Sequence, residues 1–223
     1  MSEKIYTIPI NLSFEQKCGC PLCRLYEQAR NNALEYVTGA AMMEPDVRIE
    51  TNALGFCREH FGDMLGMKNR LSVALMLESH MDEVEKKVFS HDGKHAAKEA
   101  GRVAESCFVC SRIEEHMSHY ISNTVHMFRS DPEFRKLYAA QEIFCLPHLA
   151  ALLKCAEDRL GKKEYPEFLR ISVAIAEKGH AALREDLAGF TRSFDYRFQN
   201  EPKTERVKAS VDNTVAYLAS VKK

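Results

Sequence analysis

Apolar residues along this chain recur at steps of three and four, and no stretch alternates apolar with polar over the length of a strand. From Leu71 to Val88, the residues Leu71, Ala74, Leu75, Leu77, Met81, Val84 and Val88 trace one stripe, with Glu78, Asp82, Glu85 and Lys86 on the other side. That pattern predicts a long amphipathic helix with the stripe turned inward. A matching helix is predicted from Tyr165 or Pro166 to Phe194, burying Phe168, Ile171, Ile175, Leu183, Leu187 and Phe190. In "MEPDVR" and "SDPEFR" a proline stands among acidic residues. Both suit a helix start, where a missing amide proton costs little and negative charge meets the positive end of the dipole. Behind Pro202, the residues Val207, Val211, Val215 and Leu218 keep helical spacing. They predict a final helix that caps the core or makes a dimer contact.

The cysteines appear in two copies of one pattern. "CPLC" supplies Cys20 and Cys23 and is followed by "GFCREH" with Cys57 and His60; "CFVC" supplies Cys107 and Cys110 and is followed by "IFCLPH" with Cys145 and His148. The gap from Cys23 to Cys57 is 34 residues and that from Cys110 to Cys145 is 35. Glu27 and Glu114, Pro45 and Pro132, and Arg48 and Arg135 share one offset of 87, and "SVALMLESH" aligns with "SVAIAEKGH", pairing His80 with His180. The fold class that follows is all-α: a duplicated helical unit, each half with a Cys3His metal site and a long amphipathic helix. The halves are expected at residues 1–92 and 105–199, joined by a polar connection at 93–104 with a turn near Asp92 and Gly93, and followed by an extension at 200–223. One compact domain is expected to contain them.

Three thiolates and an imidazole suit a tetrahedral divalent ion, and two close pairs let one ion clamp two distant elements. Read within each half, the ligand sets are Cys20, Cys23, Cys57 and His60, then Cys107, Cys110, Cys145 and His148. In a CxxH the two ligands share one face of a helical turn. Two zinc ions are expected, with iron or an iron–sulfur cluster as the alternative. Disulfides are not needed, because a chain of 223 residues with 45% hydrophobic content can bury its own core. No βαβ pattern surrounds either CxxC, which argues against a thioredoxin-like pair.

Composition narrows the partners. A net charge of −1 with interspersed signs gives no electrostatic hold on phosphates, so nucleic acid is not expected. No segment approaches the roughly 18 apolar residues of a membrane span, and "MSEKIYTIPINLSF" lacks the apolar stretch of a leader, so a soluble cytoplasmic protein is expected. Cys18 and Cys155 fall outside both ligand sets. Beside the ligands, Cys18, Glu27, Arg48, His80, Glu114, Arg135 and His180 are candidates for supporting contacts or a ligand pocket. The more ordinary reading is packing for the histidines, a solvated face for the glutamates, and an intrachain carboxylate pair for the arginines. The pairs His91 and His95, and Glu115 and His119, have helical spacing and read as surface residues. The methionines of "AMM" and "LGM", with Met76 and Met81, read as core packing.

The segments "MEPDVRIETNALGFCREHF", "MKNRLSVALMLESH" and "GFTRSFDYR" resemble an uncharacterised bacterial family, a domain of unknown function. The resemblance implies a cytoplasmic helical protein with paired CxxC and CxxH motifs, and it implies no activity. The function expected is a zinc-binding helical protein that binds a protein or small ligand, possible also as a homodimer, with both ions structural. One alternative is a metal- or redox-responsive sensor using Cys18 as an exchangeable thiol. The other is a metalloenzyme with an open coordination position or an anion cleft at Glu44, Arg48 and His80.

Overall fold

Where helices begin in this protein is set by residues that can satisfy or dispense with the first amide protons. A computed structural model describes residues 4–90, 93–198 and 202–220. Twelve α-helices and no strand occur among them. They are α1 (Lys4–Glu15), α2 (Pro21–Thr38), α3 (Pro45–Leu54), α4 (Arg58–Gly66), α5 (Arg70–Val84) and α6 (Gly93–Glu105). Then follow α7 (Phe108–Ser130), α8 (Pro132–Ala139), α9 (Leu146–Arg159), α10 (Tyr165–Arg192), α11 (Glu205–Lys208) and α12 (Ser210–Ala219). Prolines stand in the first turn of α3, α8, α9 and α10. Asp131 caps α8 by accepting from the backbone of Glu133 and Phe134, and Asn69 caps α5 by accepting from Ser72.

The chain forms two compact units, one of Met1–Glu27 with Met117–Lys223 and the other of Gln28–His116. These are not the two sequence halves. The chain passes between the units inside α2 and inside α7, so each of these helices starts in one unit and ends in the other.

In the first unit, α9, α10 and α12 pack on one another and α1 packs on α8. Its centre is aromatic: Phe14, Phe128, Phe134, Tyr138, Phe144 and Phe168 are all fully buried. Their ring centroids lie 4.9–6.5 Å apart in stacked, tilted and edge-on pairs. The Tyr138 hydroxyl meets Ser172 Oγ at 2.7 Å, which satisfies its polar end inside this core. In the second unit α5 packs on α3 and α4, and α6 packs on the single π turn Glu85–Phe89 that ends α5. Its core includes Val47, Phe56, Met64, Val73, Met76 and Phe108.

Several expectations need correction. Residues 93–105 form helix α6, not a loose connection. Helix α1 was not foreseen; its Ile10 and Phe14 are buried while Ile5, Ile8 and Leu12 are exposed. On α5 the stripe is rotated: Leu71 and Met81 are 68% and 63% exposed, and Ser72, Val73, Met76 and His80 form the inner face. Periodicity reports that a helix has an apolar side, but only the neighbours decide which side is covered. The last segment repeats the lesson. It begins at Glu205 behind a Thr204 cap, breaks at Ala209, and turns Ser210 and Tyr217 inward while Val211, Val215 and Leu218 face out. The long helix at Tyr165–Arg192 does bury Phe168 and Ile175 as predicted.

A size exchange links the loops before the CxxH pairs to the long helices. Gly55 and Ile143 occupy matching places, two residues before Cys57 and Cys145. In the second unit the loop residue is the small one, and a Cβ at Gly55 would lie 2.7 Å from His80 Nε2. In the first unit the helix residue is small: a Cβ at Gly179 would lie 2.5 Å from Ile143 Cγ1. Gly179→Ala is therefore expected to destabilise the protein by about 1–3 kcal/mol through overpacking. Urea unfolding should show that loss shrinking when Ile143→Ala is added.

Candidate metal centres

Each of the four ligand pairs lies at the start of a helix. Cys57 is the N-cap of α4 and His60 its third residue; Cys145 and His148 hold the same places on α9. Cys20 directly precedes α2 and Cys107 directly precedes α7, with Cys23 and Cys110 as the third residues. The backbone follows: Phe61 donates to the Cys57 carbonyl at 2.9 Å, Leu149 to Cys145 at 2.8 Å and Ser111 to Cys107 at 3.0 Å. An N-cap side chain and the third helical side chain point to the same place. The free N–H groups and positive dipole end there favour thiolate over thiol.

The structure brings these pairs together across the sequence halves. Cys20 and Cys23 meet Cys145 and His148 in the first unit, and Cys57 and His60 meet Cys107 and Cys110 in the second. The eight residues are those expected, but their partition within halves is wrong. The reason lies in helix length. An 18-residue α2 separates its two ends by about 27 Å and a 23-residue α7 by about 34 Å. The chain changes units inside each of these helices, so each CxxH lies in a different unit from its own half's CxxC and meets the other half's CxxC.

In each group the four donor atoms lie within 4.8 Å of one another. In the first, Cys23 Sγ is 3.6 Å from Cys145 Sγ, and His148 Nδ1 is 3.1, 3.4 and 3.8 Å from the sulfurs of Cys145, Cys23 and Cys20. In the second, Cys57 Sγ is 3.9 Å from Cys110 Sγ, and His60 Nδ1 is 3.2, 3.3 and 3.4 Å from Cys57, Cys107 and Cys110. A tetrahedral ion with bonds of about 2.3 Å to sulfur and about 2.1 Å to nitrogen sets its donors roughly 3.5–3.8 Å apart. Each group thus has the donor set and the spacing to hold a metal ion. None of the eight cysteines is in a disulfide.

Without a cation the groups share charge unevenly. Burial pushes Cys20 well above the ordinary thiol range, reinforced by Cys145 and Cys23, while hydrogen bonds from Cys145 and Cys20 hold Cys23 far below it. Burial and the nearby Cys107 and Cys57 push Cys110 up to about 12. Burial alone would raise Cys57 too, but the His60 backbone N–H and the thiols of Cys107 and Cys110 bring it below the usual value. Burial would lower His148, yet Cys145 and Cys23 outweigh it and raise the imidazole to about 9. Packed thiols ionise one at a time unless a cation neutralises them.

Supporting residues fix the ligand loops. Phe56 precedes Cys57 and packs against Phe61 and Phe108, the latter next to Cys107; Phe144 anchors Cys145 in the aromatic core. Gly55 adopts φ +59, accepts at its carbonyl from Phe108 N at 2.9 Å, and lies under the His80 ring. His80 Nδ1 donates to the Asn52 carbonyl at 2.9 Å, so His80 positions this loop and is not a ligand. Arg24, which sequence reading passed over, gathers the loop before Cys20: its guanidinium donates to the carbonyls of Ser13, Gln16, Cys18 and Gly19. An arginine on the first turn after a CxxC was the available signal.

The remaining candidates lie elsewhere. Cys18 is exposed and outside both groups, with its sulfur 3.8 Å from Arg24 Nη1. Glu27 and Glu114 belong to neither group. Arg48 donates to Ser79 Oγ at 2.6 Å, Glu44 is exposed at the start of α3, and His80 is buried with its Nδ1 on the Asn52 carbonyl. Arg135 donates to the carbonyls of Phe128 and Arg129 at the end of α7 and lies 3.6 Å from Glu167. His180 packs on Tyr217 with centroids 5.7 Å apart, and His119 stacks on Tyr6 at 4.8 Å. Burial raises the half-buried Cys155 thiol. Met64 and Met76 are in the core, but Met43 and Met81 are exposed. His91 and Asp92 lie outside the described residues.

Fold and sites define a helical protein with two Cys3His groups, each built from the starts of two helices. The chain belongs to the family described as Family of unknown function (DUF6062), which matches residues 1–223. No curated protein and no solved structure matches it.

Gly55 is the test of how the second group is positioned. Gly55→Ala should cost about 1–3 kcal/mol, since alanine is strained at this φ and its Cβ meets the His80 ring. Thermal unfolding measures the loss, and adding His80→Ala should recover only the part due to the clash.

Proposed function

We propose that this protein binds two zinc ions as structural cross-links and serves as a binding or interaction protein, not as a catalyst. The observation that carries the reading is the closed donor set. Four protein atoms at tetrahedral spacing fill each group, whereas a catalytic zinc keeps one position for water or substrate. Donor atoms that begin 3.1 Å apart and all lie within 4.8 Å of one another suit a single ion. A multinuclear iron–sulfur cluster places several atoms between its protein ligands and calls for wider spacing. Zinc would join the starts of α2 and α9 in one unit and of α4 and α7 in the other, so metal binding would supply folding energy to each. A binding role is supported by apolar surface: Ile49, Leu71, Met81 and Phe89 are each more than 60% exposed. No described helix is long and apolar enough to cross a membrane. A cytoplasmic location remains part of the proposal, resting on the eight cysteines, which in a chain of this size suit metal ligation in a reducing compartment.

Elemental analysis of the purified chain should find about two zinc atoms. Double variants then read the partition. Cys20→Ser with Cys145→Ser should retain one zinc, whereas Cys20→Ser with Cys57→Ser should retain none. Equal loss in both would refute the pairing of ligands across halves.

Zinc affinity should fall with acid. The raised Cys20 thiol and His148 imidazole hold protons at neutral pH in the metal-free fold, and zinc must displace them. Affinity should therefore climb from pH 6 towards about 9, the value to which His148 is raised. Calorimetry in buffers of different ionisation enthalpy would report the released protons, and a pH-independent affinity would contradict this.

A further inference from the structure

The two groups share a donor set but differ in access. In the first, Cys20, Cys145 and His148 are 7%, 2% and 7% exposed, and Cys23 is half-buried with Ser220 Oγ, at the end of α12, 3.6 Å from its Sγ, so no sulfur of this group is exposed as Cys110 is. In the second, His60 and Cys107 are buried, but Cys57 is half-buried and Cys110 is exposed. Their sulfurs are 3.9 Å apart and belong to different helices. Distance does not separate the groups, since Cys23 and Cys145 are closer at 3.6 Å. Access of an oxidant does.

We propose that Cys110 and Cys57 form a peroxide-sensitive pair, so that the second group releases its ion on oxidation while the first keeps its own. This rests on the zinc reading above. The Cys110 sulfur, deprotonated when it ligates the ion, attacks the O–O bond of a hydroperoxide; one oxygen transfers to give a sulfenic acid, and hydroxide or alkoxide leaves. Cys57 thiolate then attacks the Cys110 sulfur, the S–O bond breaks, and a second hydroxide departs as the S–S bond forms. Two sulfurs lose two electrons and the peroxide gains two. Closing the pair from 3.9 Å to about 2.05 Å removes two of the four donors, and His60 with Cys107 cannot retain the ion alone. The exchangeable thiols are thus inside the second group, not at Cys18.

The experiment uses the full chain, with metal content measured first. Hydrogen peroxide is added, released zinc is followed with a chromophoric chelator, and thiols are trapped for mass-spectrometric mapping. One ion should leave roughly tenfold faster than the other, with a Cys57–Cys110 disulfide forming in step and the first group's cysteines unmodified. Dithiothreitol with zinc should reverse it, and Cys18→Ser should leave the rate unchanged. Release from both groups at one rate, a Cys107–Cys110 disulfide, or loss of the response in Cys18→Ser would overturn the proposal. If the untreated chain holds no metal, the zinc reading fails on its own. The mapping then still decides the pair, since Cys57–Cys110 in the metal-free chain supports it and any other bridge refutes it.

Discussion

The placement of every ligand pair at the N-cap and third residue of a helix is the constraint on which the rest depends. A helix start offers free N–H groups and a positive field, which favour a thiolate, and it holds two side chains in a fixed relation. Two such starts facing each other make a four-donor site. Helices α2 and α9 do this in one unit, and α4 and α7 in the other. The chain crosses between the units inside α2 and α7, the two helices whose starts carry the CxxC pairs.

The surrounding packing keeps those helix starts in place by two different means. Phe144 ties Cys145 to an aromatic core, and Phe56 ties Cys57 to Phe61 and Phe108. The loops before them exchange a small and a large residue with the long helices, Gly55 against His80 and Ile143 against Gly179. Of these two glycines Gly55 needs glycine for its backbone, because it has positive φ and Gly179 does not. Arg24 satisfies the Ser13 carbonyl in the last turn of α1 and three loop carbonyls beyond it, which holds the approach to Cys20 in shape.

Much of the fold was legible where residue chemistry is local. Pro45 and Pro132 mark helix starts, and Phe168 with Ile175 mark the inner face of α10. Where the answer depended on neighbours, the reading failed. Leu71 and Met81 lie on the apolar side of α5 by periodicity, yet the neighbours cover Val73, Met76 and His80 instead. Val211, Val215 and Leu218 face out for the same reason. Helix α1 was missed because Pro9 interrupts its pattern.

The eight candidate donors are written in the sequence, because CxxC and CxxH at a repeated spacing bring suitable atoms to single helical turns. Their partition is not. Spacing along the chain favours the nearest pairs, Cys23 with Cys57 and Cys110 with Cys145, but a helix is a rigid spacer. With the chain passing from one unit to the other inside α2 and inside α7, a CxxC and the CxxH after it fall in different units. Tertiary structure therefore decides which ends meet, and with that decision come the burial of the first group and the exposure of Cys110 in the second.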